Sequence, residues 1–197
     1  MQIDDLIVKC ERNYNGLVDS SIKSDLEELY RTYPSPKVLV NEFKLSQVEI
    51  KKITKVAMNS LDSKFSRATL EWIIELSNLG IDSINNKGYS DRRSIIMKTH
   101  FYGHNGDLLA KYTTKISDVN AKLDLLRRAH SEYSKALDLA KPRLELSDVG
   151  WKMMDQMSYF VHSLDQRGSV SRRIATHTTD EKEKVSMFKS AYADSKF

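Results

Sequence analysis

Apolar residues recur at helical spacing along most of the chain. Between residues 14 and 30, Leu17, Val18, Ile22, Leu26 and Leu29 share one helical face, and Pro34 and Pro36 end the segment. Residues 45–61 repeat the pattern with Leu45, Val48, Ile53, Val56 and Leu61. Residues 67–79 follow with Leu70, Ile73, Ile74, Leu76 and Leu79 beside Trp72, and Gly80 is the expected stop. Ile81 to Arg93 is polar and reads as a loop. Ser94 to Tyr102 is then rich in β-branched and aromatic residues, and His104-Asn105-Gly106-Asp107 separates it from Leu108 to Ile116. Asn-Gly between two such runs predicts a β-hairpin, because a type I′ turn needs positive φ at both central positions. Helix is the alternative for Asp107–Ile116.

Residues 118–140 carry the most regular helical pattern. Val119, Leu123, Leu126, His130, Tyr133, Leu137 and Ala140 alternate steps of four and three, a seam for another helix, and Pro142 is the expected stop. Ser147 or Asp148 can cap a following helix with Val149, Met153, Met157, Phe160, Val161 and Leu164 on its face. Thr178 and Glu181 have capping-box spacing before a short final helix. The expected fold is mainly α: a single-domain helical bundle with one β-hairpin at about residues 94–116 and extended N- and C-terminal arms. Residues 1–40 form the N-terminal arm and first helix, 41–167 the core with the hairpin, and 168–197 the C-terminal arm. Ile3, Leu6 and Ile7 at one end and Phe197 at the other are the apolar residues such arms would lay on neighbouring subunits.

Composition narrows the class. The 197 residues are 40% hydrophobic and 29% charged, enough apolar content for a core, with only 7 Gly and 3 Pro. That scarcity argues against a β-sandwich or a dinucleotide-binding sheet. The single cysteine, Cys10, excludes an intramolecular disulfide framework and a Cys-rich metal site, and its place near the terminus predicts a mobile thiol. No apolar run approaches the roughly 20 residues needed to span a bilayer, and Asp4 and Asp5 stand where a secretory segment would be apolar. A soluble intracellular protein with no membrane partner is expected.

The net charge of +4 is unevenly placed. Residues 1–84 hold 11 basic and 13 acidic side chains, residues 85–143 hold 12 and 6, and residues 144–197 hold 8 of each. The surplus of the middle segment begins at Lys87, Arg92, Arg93 and Lys98, and a local basic surplus suits a phosphate-bearing partner. Enzyme chemistry finds little support. His100 and His104 are four apart, but a hairpin denies them a shared helical face and no third ligand is near, so neither metal nor cofactor is expected. Arg172 and His177 form an Arg-x4-His spacing that resembles the motif of the HEPN helical ribonucleases. Here the pair follows Gly168-Ser169-Val170-Ser171 and reads as a loop.

A more informative set spans three segments: Gly88-Tyr89-Ser90, then Leu126-Arg127-Arg128 with Tyr133, then Met153-Met154-Asp155-Gln156. Arg127 emerges at the edge of an apolar seam. Asp155 shares a helix face with Trp151 and Tyr159, where a poorly solvated carboxylate favours a partner such as Arg127. The aromatics could stack on unpaired bases. In this order the three segments resemble the coat proteins of flexuous filamentous plant RNA viruses, across roughly residues 66–160. Tyr89, Arg128, Met154 and Gln156 depart from that family's pattern.

The resemblance implies a non-enzymatic capsid or nucleocapsid protein, found in the virion and host cytoplasm, that coats single-stranded RNA without sequence preference and self-associates into a helical filament. Ser90, Arg127 and Asp155 would surround one nucleotide, with Arg92, Arg93, Arg128, Trp151 and Tyr159 completing the RNA-binding set. The competing expectation is a helical adaptor or scaffold that binds a partner helix and no nucleic acid. A HEPN-like ribonuclease is the lesser alternative.

Overall fold

The computed structural model describes residues 3–12, 20–60, 66–88, 91–144 and 152–196. They form nine α-helices and one 3-10 turn: α1 (Ile3–Arg12), α2 (Ser20–Thr32), α3 (Pro36–Phe43), α4 (Gln47–Ser60), α5 (Arg67–Asn86), α6 (Arg92–Tyr112), the turn Thr113–Lys115, α7 (Val119–Leu144), α8 (Lys152–His177) and α9 (Glu181–Asp194). The mainly α class therefore holds. Two compact units divide the chain, residues 1–89 and 90–197. The boundaries expected at residues 40/41 and 167/168 fall inside α3 and α8.

In the first unit α1 packs on α4 and α2, α4 on α5, and α3 on α5. Ile3, Leu6, Ile7 and Cys10 follow the i, i+3, i+4, i+7 rule and are all buried. The expected N-terminal arm is thus a helix whose apolar face is used up within its own unit. Cys10 is not a mobile thiol: burial pushes its pKa up to about 12, with Asp25 adding to the rise. Lys9 pairs with Asp25 at 2.6 Å and Lys52 with Glu11 at 3.2 Å, tying α1 to α2 and α4. Pro36 at the first position of α3 has no N–H to lose, and Lys44 in the left-handed region closes that helix. Ser46 and Glu49 form a reciprocal capping box at α4, the Ser46 amide donating to Glu49 Oε2 at 2.7 Å. α5 does not stop at Gly80, which is buried within it, and runs on to Asn86. Its Trp72 indole donates to the Tyr33 carbonyl at 2.7 Å. Leu17, Val18 and Leu61 of the expected pattern lie outside the described residues.

In the second unit each helix packs mainly on the next, α6 on α7, α7 on α8 and α8 on α9, with α6 also meeting α8. The expected hairpin at 94–116 is replaced by α6 and the short turn after it. Two things override the local turn signal. Asp91 caps the helix, its carboxylate accepting from the Ser94 amide at 2.9 Å and the Ser94 hydroxyl at 3.0 Å. Gly106 serves a close helix contact, since a Cβ there would come within 2.7 Å of the Tyr133 ring. Asn105 reaches Glu132 of α7 at 3.2 Å.

α7 runs two residues beyond Pro142, to Leu144. Ser147 and Asp148, the expected caps of α8, lie outside the described residues. α8 extends through Gly168 to His177, so the expected C-terminal arm is the second half of α8 followed by α9. Asp180, not Thr178, caps α9, accepting from the Lys182 amide at 2.8 Å and the Glu183 amide at 3.3 Å.

Candidate functional site

Of the residues expected to bind RNA, Ser90 and Trp151 lie outside the described residues. Arg92 and Arg93 are exposed in the first turn of α6. Arg128 is half-buried on α7. Tyr159 is half-buried on α8, its ring centroid 3.5 Å from that of His100 on α6. Asp155 lies in the first turn of α8. Leu137 of α7 packs with Phe160 and Leu164 of α8, and Arg167 Nη1 donates to Ser134 Oγ at 3.4 Å, so α7 and α8 run antiparallel. That direction sets Arg127 near the C-terminal half of α8 and Asp155 at the opposite end of the pair.

Arg127 is held by a residue that spacing alone did not suggest. Its Nε donates to Glu183 Oε1 and its Nη2 to Glu183 Oε2, both at 2.7 Å, a bidentate fork across to α9. The guanidinium and the Thr178 hydroxyl, which also donates to Glu183, hold that carboxyl at about 2. The Glu183 hydrogen bond also raises the Arg127 pKa, with Asp124 and Asp180 adding to it. Arg127 thus lies among carboxylates, with Glu183 occupying its Nε and Nη2. No sequence signal marks Glu183 as the partner, since it lies 56 residues away.

A second node joins three helices. Asp107 of α6 accepts from the Tyr133 hydroxyl of α7 at 2.7 Å and from His162 Nε2 of α8 at 3.0 Å. Tyr133 is fully buried, and burial first and Asp107 second drive its pKa far above the ordinary tyrosine value. A buried phenol so held fixes the three helices in place. Close by, Arg173 turns inward, Nη1 donating to the Ala110 carbonyl at 3.2 Å and Nη2 to the Thr113 hydroxyl. Arg172 and His177 lie on α8, not in a loop. Five residues apart, they point about 140° from one another around the axis.

The surface that remains is on α8 and α9. Along one side they flank a groove of about 310 Å³ lined by Val161, Leu164, Gly168, Arg172, Ala191 and Asp194 among others. Asp194 in its lining is buried and held by Arg167 of α8 in a bidentate pair, at 2.9 and 2.5 Å. Beside the groove α9 exposes Val185 (51%), Phe188 (50%) and Tyr192 (63%), at i, i+3 and i+7. Val161 on the facing side of α8 is 55% exposed. Three large apolar side chains on one stripe of one helix form a patch, unlike scattered apolar residues.

Among the described residues no group of three or more His, Cys, Asp or Glu could hold a metal ion, and no helix is long and apolar enough to cross a membrane. No family profile, curated protein or solved structure matches the chain.

Proposed function

We propose that this protein is a helical adaptor or scaffold whose α8–α9 face receives a helix from a partner protein. The observation that carries the reading is the stripe Val185, Phe188 and Tyr192, solvent-exposed beside the α8–α9 groove, whose lining mixes apolar residues with Asp165, Arg172, Asp194 and Ser195. An amphipathic helix lays residues of the same i, i+3 or i+4, i+7 spacing into such a groove. The sequential packing of α6 to α9 supports it, because helical arrays build binding faces from neighbouring helices and leave an uncapped apolar face where a further helix can add. The RNA-coating reading has less to rest on: Arg127, its central cation, has its fork taken up by Glu183.

The test is selection of displayed amphipathic helical peptides against the purified full-length chain. Selected peptides should compete for one site and lose binding at least about tenfold on Phe188→Asp, a change of roughly 1.4 kcal/mol. Peptides that bind equally well to Phe188→Asp would sink the proposal.

A further inference from the structure

Resting on that reading, we infer that the helix received by the α8–α9 face is α9 of a second copy of this chain, packed antiparallel about a two-fold axis level with Phe188 and Lys189. The exposed side of α9, carried on into the turn of residues 195 and 196 that follows it, reads Glu181, Val185, Phe188, Tyr192, Lys196, with steps of four, three, four and four. This order is nearly palindromic in position and complementary in charge. Turning a second copy end over end sets Phe188 beside its symmetry mate, Val185 level with Tyr192 of the second copy, and Glu181 level with Lys196 of the second copy. An isologous interface requires such self-complementarity, each contact occurring twice.

Charge selects the orientation. The Glu181 side chain is 75% exposed, and Lys196 is also exposed. The other acids of α9 are engaged inward, Glu183 with Arg127 and Asp194 with Arg167. A parallel pairing would oppose Glu181 to Glu181 and Lys196 to Lys196, whereas the antiparallel one opposes unlike charges at both ends. The existing partners of these groups do not block it. Glu181 holds Lys184 with Oε1 alone, and Lys196 lies over the exposed ring of Tyr192, 4.3 Å from its centroid. Rim pairs of this kind set register and orientation more than affinity. The apolar contact is small, one helix face with the adjoining groove, so a dissociation constant of about 1–100 μM is expected.

Sedimentation equilibrium of the full-length chain from about 0.1 μM to 1 mM spans that range on both sides. The wild-type chain should form a discrete dimer that Phe188→Asp abolishes. Glu181→Lys alone and Lys196→Glu alone should each weaken it about tenfold, a ratio worth roughly 1.4 kcal/mol. An equimolar mixture of the two charge variants should recover wild-type affinity, because the heterodimer pairs opposite charges at both ends. A wild-type chain that stays monomeric at 1 mM, or a mixture no tighter than either variant alone, overturns the antiparallel pairing. If the monomeric chain still binds displayed helices at Phe188, the adaptor reading survives without it. If it binds none, both fall.

Discussion

Gly106 and Tyr133 show how one missing side chain positions two helices. A Cβ at Gly106 would lie 2.7 Å from Cε1 and Cζ of Tyr133, a ring already held by its bond to Asp107. Alanine normally gains about 1 kcal/mol over glycine inside a helix, but overpacking a core costs about 1–3 kcal/mol. Gly106→Ala should therefore destabilise by up to about 2 kcal/mol in urea unfolding, and a stabilised variant would contradict the close contact. Glu183 offers a pH test. Its pKa is lowered on folding to about 2, so its contribution is fully present above the ordinary glutamate value and is lost as pH falls from there toward 2. Arg127 is half exposed, which limits the effect to about 1 kcal/mol or less. Glu183→Gln should flatten the stability profile between about pH 4.5 and 2 while leaving its shape near neutrality unchanged. An unchanged acid limb would show that the fork forms only weakly in solution.

The helices differ in how openly the sequence announces them. α7 was legible because Leu123, Leu126, Tyr133 and Leu137 are apolar and all point one way. α6 hides its period, because His100, His104 and Asn105 occupy buried positions where apolar residues would mark a helix. Against that weak signal Asn105-Gly106 looked like a turn, and the ring that explains the glycine lies on a different helix. The cap at Asp91 was readable from Asp-x-x-Ser, yet it carries weight only once the hairpin is set aside. α1 presents the reverse case. The apolar character of Ile3, Leu6 and Ile7 was plain, and so was their spacing with Cys10, but a stripe does not say whether its partner is in the same chain. The site followed the same logic. Periodicity placed Arg127 on a helix, and only folding could bring up Glu183. For α9 the spacing 185, 188, 192 was visible, and its exposure was not.

At the scale of the molecule, charge counts and charge delivered to the surface are different quantities. The chain is +4 with a sequence pI near 9.0, and its surplus sits in residues 85–143. Folding pairs part of the chain's basic charge, in this segment and on α8, with acids or backbone. Arg127 is bound to Glu183, Lys135 to Glu132 and Arg167 to Asp194, while Arg173 is turned onto the Ala110 carbonyl and Thr113. Arg92 and Arg93 in the first turn of α6, Lys111 in its last turn and Lys115 just after it are exposed at the surface of this segment. A few such cations neutralise only a few phosphates, and for single strands each contributes about 0.7 to the slope of log affinity against log salt. A labelled single-stranded RNA titrated with this protein should therefore give a slope of about 3 or less and no saturation below roughly 10 μM protein at physiological salt. Arg127→Ala should leave that weak binding unchanged, since its guanidinium is already paired. A slope of about 5 or more, with tight binding that Arg127→Ala destroys, would mean that RNA displaces Glu183 from the fork and that coating nucleic acid is the function after all.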